Sequence, residues 1–191
     1  IIYIRANPDT SESIVARNIS TKESTTRYSG RPMERISGLF SAKGRILASI
    51  HFNNGHEKIV EILNGRAIPL VKQLHPTREF ERNPHIGQDG QIYFAAAYGN
   101  SPLEIYRLGT KGPELLAIDP SGYLDRPVLF SDGKTAVMQS YGLNGLNLIR
   151  TTISEALPAS KTPQVDLHEF LTGEKPPAFS LGENHFPPSE P

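Results

Sequence analysis

Three stretches of the chain share one order of apolar and polar positions: ILASI after Gly44, IYFAAA after Gly90 and TAVMQS after Gly133. Each is a continuous apolar run, the pattern of a strand buried on both faces. A polar break follows in each (FNNGH, YGNSP, YGLNG), and then a segment that alternates: EKIVEI, LEIYRL, LNLIRT. Alternation marks a half-exposed strand. A short apolar stretch stands ahead of each glycine, at Leu39-Phe40, His85-Ile86 and Val128 to Phe130. AIPLV at 67–71 and ELLAID at 114–119 supply an outer, fourth strand. The turn glycines lie 46 and then 43 residues apart, and the alternating segment starts 13 residues after each, at Glu57, Leu103 and Leu146. The same internal spacing three times is a repeat.

Four antiparallel strands in such a period match a propeller blade, whose faces are buried by stacking on its neighbours. The start of the chain fits the same template. Ile1 to Arg5 aligns with a second strand, Glu12 to Ile19 with a third and Ser24 to Tyr28 with a fourth, so the first blade lacks its innermost strand. The expected fold is an all-β propeller, or part of one, with about four four-stranded antiparallel blades, the first incomplete. The boundaries are 1–30, 31–76, 77–120 and 121–171. Residues 172–191, with five prolines in twenty positions, read as an extended tail. Within the last unit, SEALPASKTPQ is a proline-containing insertion and VDLHEFL an outer strand or a short capped helix.

The order of apolar strand, Ser-Asp-Gly-Lys turn, apolar strand, polar loop and a strand like LEIYRL resembles the TolB-type β-propeller repeat over residues 36–151. Two turns depart from it, Ala42-Lys43 replacing the acidic turn residue and Ser131-Asp132 being one residue short. The resemblance implies a periplasmic or otherwise extracytoplasmic scaffold that binds protein partners. Its alternative implication is the non-catalytic gating propeller of a prolyl-oligopeptidase-type serine peptidase. An open arc of blades would expose apolar end faces. Further blades before residue 1 are the favoured remedy, with another subunit, or closure by Ala178 to Leu181, as the others.

Composition narrows the chemistry. Twenty basic residues balance twenty acidic ones and no basic block stands out, which argues against a nucleic-acid partner. No apolar stretch is long enough to span a membrane. With no cysteine, disulfides, zinc-thiolate sites and cysteine nucleophiles are excluded. No Gly-x-Ser-x-Gly elbow seats a serine nucleophile, and no cofactor motif is found. His51 and His56 bracket a loop, but two nitrogen ligands fall short of a metal site. His85 sits on an inner strand, where packing is the simpler role.

What remains is a surface. Up-and-down connectivity brings the second-to-third-strand loops and the blade links to one face. The candidate partner-binding residues there are Asn54, His56, Arg82, Tyr98, Asn100, Arg126, Tyr141 and Asn144, with Asp125 among the other blade-link residues. Tyrosine and arginine dominate interaction hot spots, and loops on rigid scaffolds carry function. The competing reading is that the asparagines serve positive-φ turns. Arg82 and Arg126, each four residues before an apolar position (Ile86, Phe130), can equally be a recurring structural pair.

Overall fold

The computed structural model describes residues 1–72, 79–99, 102–117, 122–129, 135–142, 145–152 and 157–158. Every regular element among them is a strand. The first sheet is β1 (Ile2–Ala6), β2 (Glu12–Arg17) and β3 (Ser24–Ser29), antiparallel in that order. The second is β4 (Arg35–Ala42), β5 (Arg45–His51), β6 (Glu57–Leu63) and β7 (Arg66–Pro69). The third is β8 (Glu79–Ile86), β9 (Ile92–Tyr98), β10 (Glu104–Gly109) and β11 (Gly112–Ala117). The fourth is β12 (Gly122–Leu129), β13 (Thr135–Gly142) and β14 (Gly145–Thr152). Single parallel bridges, Tyr28 with Gly65 and Glu57 with Phe80, stitch the first sheet to the second and the second to the third.

The sheets stack face to face because β5 and β9 are apolar on both sides. Along β9, Ile92, Phe94, Ala96 and Tyr98 join Leu47 and Ile59 of the second sheet in one core. Tyr93 and Ala95, pointing the other way, join Leu124, Ala136 and Met138 of the fourth. In the second sheet Ala48, Ile50, Val60 and Ile62 turn back toward Ile14 and Tyr28 of the first. One strand thus serves two interfaces, as side-chain alternation requires. Burying side chains of this size contributes roughly 1.5–3 kcal/mol each, so stacking is what stabilises each sheet.

The turns use the expected glycines. Lys43 (φ 52) and Gly44 (φ 76) make a two-residue hairpin turn between the paired Ala42 and Arg45, positive at both central positions. Gly90 (φ 84) closes a longer loop in which the Asp89 carboxylate accepts the Gln91 backbone N–H at 3.0 Å. Gly133, VDLHEFL and the tail lie outside the described residues.

Two features differ from the sequence reading. The insertion after β14 does not remain irregular throughout: Leu157–Pro158 (β15) pairs antiparallel with Leu115 and Glu114, extending the outer edge of the third sheet. The inner strands are also not regular ladders. β8 is bulged between Arg82 and His85, and β12 between Asp125 and Val128. Each bulge contains a residue at positive φ, Asn83 (φ 51) and Arg126 (φ 50), followed by proline. Proline has no N–H to give a ladder, so within a paired strand it belongs at a bulge. The structural equivalent of Arg126 is therefore Asn83, and that of Arg82 is Asp125, one residue away from the sequence pairing of the two arginines.

Candidate functional site

Register fixes which loops share an end. Arg35 pairs with His51, and Glu79 with Tyr98, so the inner strands begin where the second strands finish. At this end the bulges turn side chains of three sheets toward one another. A cleft of about 450 Å³ opens there, lined by Ser37, His51, Glu57, Arg82, Asn83, Asp125 and Arg126.

The cleft is a chain of cross-sheet ties. Glu57, buried at the head of β6, accepts hydrogen bonds from the Ser37 hydroxyl and from Arg82 Nη2, the latter at 2.6 Å. Asn83 hydrogen-bonds in two directions. Its backbone N–H donates to Ser49 Oγ in the second sheet at 2.8 Å, and its side-chain amide donates to Asp125 Oδ1 in the fourth at 2.6 Å. Asp125 Oδ1 also accepts the Arg126 backbone N–H at 2.8 Å. Gly38 makes this convergence possible. A Cβ there would stand 2.9 Å from Ser49 Oγ and 3.1 Å from Asn83 Oδ1, closer than packed carbons tolerate.

Of the residues expected to bind a partner, Arg82 and Arg126 meet in the cleft. Asn54 and His56 lie on the β5–β6 loop at the same end, where Asn54 Oδ1 accepts the His56 backbone N–H at 3.1 Å. That bond is turn chemistry, but the positive φ of this loop falls on Gly55 and not on Asn54. Tyr98 faces inward instead of onto the surface. Its ring stands edge-on to Tyr106 with centroids 5.3 Å apart, and its hydroxyl donates to buried Glu81 at 3.3 Å. Burial, with the Glu81 charge second, raises its hydroxyl pKa well above the usual range. The last position of β9 alternates inward, whatever the loop beyond it does. Tyr141 belongs to β13, whereas Asn100 and Asn144 lie outside the described residues.

His85 packs edge-on against Phe40 with centroids 4.5 Å apart, and burial lowers its pKa. Among the described residues, no group of three or more His, Cys, Asp or Glu is placed to hold a metal ion. No described helix is long and apolar enough to cross a membrane.

Sequence reasoning missed Ser37 and Asn83, met Glu57 only as the start of an alternating strand beside the His51–His56 loop, and set His51 aside as a loop histidine. A signal was present for the bulges: Asn83-Pro84 and Arg126-Pro127 are 43 residues apart, the spacing of Gly90 and Gly133. A proline recurring inside an apolar inner strand marks a built irregularity.

No family model matches the chain. No curated protein matches it either. Among solved structures, that of puromycin hydrolase superposes with a TM-score of 0.52 at 14% sequence identity, over 82% of this chain and 29% of that one. The chain therefore spans less than a third of that protein's length. At this identity the likeness concerns the fold alone. It agrees with the stacked antiparallel sheets: the described residues are all-β and form a portion of a propeller-type fold.

Proposed function

We propose that this chain is a TolB-like propeller segment that holds a protein partner at the end where its inner strands begin, as a non-catalytic scaffold in an extracytoplasmic assembly. The observation that carries the reading is the cleft itself: three sheets deliver polar side chains to one place on stacked strands whose inner faces are buried. Fixed side chains lose little entropy on docking, and exposed arginine on a rigid frame suits protein recognition. The extracytoplasmic setting follows from the repeat resemblance alone. Further blades, or another subunit, complete the ring. Arg126→Glu in the full-length protein tests the reading. Affinity capture followed by quantitative mass spectrometry is expected to lose the specific partners, with the circular dichroism spectrum unchanged. Undiminished capture removes this end from consideration.

A second reading has its own support. The likeness to puromycin hydrolase over 29% of that chain suits a segment of the gating propeller of a prolyl-oligopeptidase-type serine peptidase. Sequencing the gene beyond both ends of this chain separates the two: an adjoining hydrolase domain favours the second, further repeats alone the first.

A further inference from the structure

In the end cleft both acids are engaged by cross-sheet ties, whereas the arginines keep donors with no partner among the described residues. Glu57 already accepts from Ser37 and Arg82, and Asp125 Oδ1 from Asn83 and the Arg126 backbone. The donors are less fully used. Arg82 commits only Nη2, while its Nε is buried and without a hydrogen-bond partner. Arg126 is exposed, and its guanidinium has no partner among the described residues. The repeat sharpens this contrast. At the same bulge position and nearly the same φ, Asn83 reaches an acid in the next sheet, Asp125. Arg126 has the geometry of that tie, and a longer, charged side chain, with no described acid to receive it.

We infer that the cleft receives a carboxylate of a partner polypeptide, clamped by Arg126 with Arg82 as the second donor. This inference rests on the docking reading above and names the chemistry of what docks. A guanidinium presents paired N–H donors at the spacing of two carboxylate oxygens. Phosphate offers similar oxygens but carries close to two charges at neutral pH. Arg82 is already paired with Glu57 in the cleft, which leaves one guanidinium, that of Arg126, for an incoming anion. One guanidinium matches a singly charged acid, which a peptide supplies as an Asp or Glu side chain or as its C terminus.

The test uses three probes on the full chain: oligoglutamate blocked at both ends, oligoglutamine with a free C terminus, and inorganic phosphate. Side-chain arginine Nε–H resonances report contact, and calorimetry reports affinity. At least one peptide is expected to shift the Arg126 signal, and phosphate at equal concentration is expected to bind more weakly. Arg126→Gln is expected to weaken the peptide by about tenfold, the loss of one bidentate contact. Arg126→Asn, which tolerates the positive φ, guards against a folding artefact and is expected to do the same. Tighter binding of phosphate, no shift with either peptide, or full affinity in both variants overturns the inference. If the peptides fail while Arg126→Glu still abolishes partner capture, the carboxylate assignment falls and the docking end stands. If capture is also unaffected, both fall.

Discussion

Strand β8 carries two polar sites that use the same kinds of side chain for opposite ends. Glu79 and Glu81 point into the junction with the second sheet, where Lys58 Nζ donates to them at 2.8 and 2.6 Å. Glu81 is 0% exposed, and its other oxygen accepts the Ile59 backbone N–H at 3.2 Å. Next along the strand, Arg82 lines the cleft with its side chain 37% exposed. Two carboxylates share the buried junction with one ammonium that closes the gap between sheets. In the cleft, the acids are occupied by cross-sheet ties, and Arg126 has no acid to pair with among the described residues. Residue type does not separate structural polarity from recognition. What separates them is whether the partners are all internal, because a buried charge must be answered from within the fold whereas an exposed one can wait for a ligand.

The largest effect that probes this contrast is expected from Lys58→Met. Removing the ammonium takes the counter-charge from two buried carboxylates, and breaking such a pair costs about 3–5 kcal/mol. Urea titration followed by circular dichroism reads it, and a loss below ~1 kcal/mol would show the junction to be no more than a solvated pair.

A pH effect of intermediate size sharpens the same side. Burial raises the Glu81 carboxyl from 4.5 to about 7, against the opposing pull of Lys58. Burial also raises Glu104, whose Oε2 accepts the Tyr106 hydroxyl at 2.7 Å. A carboxyl with a raised folded-state pKa holds its proton longer in the native state than in the unfolded one. Its contribution to stability is full below 4.5 and declines as pH rises through about 7. Glu81→Gln is expected to flatten this fall in the urea midpoint; an identical pH slope in the variant would assign it elsewhere.

The smallest stability effect belongs to the cleft. Arg126→Ala should shift stability by no more than about 0.5 kcal/mol, as at other exposed positions without internal partners, read by the same denaturation. A larger loss would make Arg126 a structural tie like Asn83 and dissolve the contrast.

Much of the fold was legible because it rests on local periodicity. ILASI and IYFAAA are apolar on both faces, and only stacked sheets bury both faces of a strand. Gly44 sits where a tight hairpin needs positive φ and Gly90 where a longer loop turns back, and both adopt it. Less of the site could be read. Arg82 and Arg126 were found, but their pairing was displaced by one residue because a bulge changes register without changing composition. Tyr98 looked like a loop residue from its neighbours Gly99 and Asn100, yet strand alternation carries its ring into the core.

The amino-acid sequence by itself determined the repeat, the strand order within each unit and the hairpin turns, since each follows from spacing along a few consecutive residues. Tertiary structure alone decided which acids are answered and which arginine has no partner among the described residues. Glu57 and Arg82, Asn83 and Asp125, and Lys58 and Glu81 are distant in the chain, and they meet only when separate sheets stack in one register. A hydrogen bond depends on distances of a few ångströms, which no local pattern of apolar and polar positions encodes.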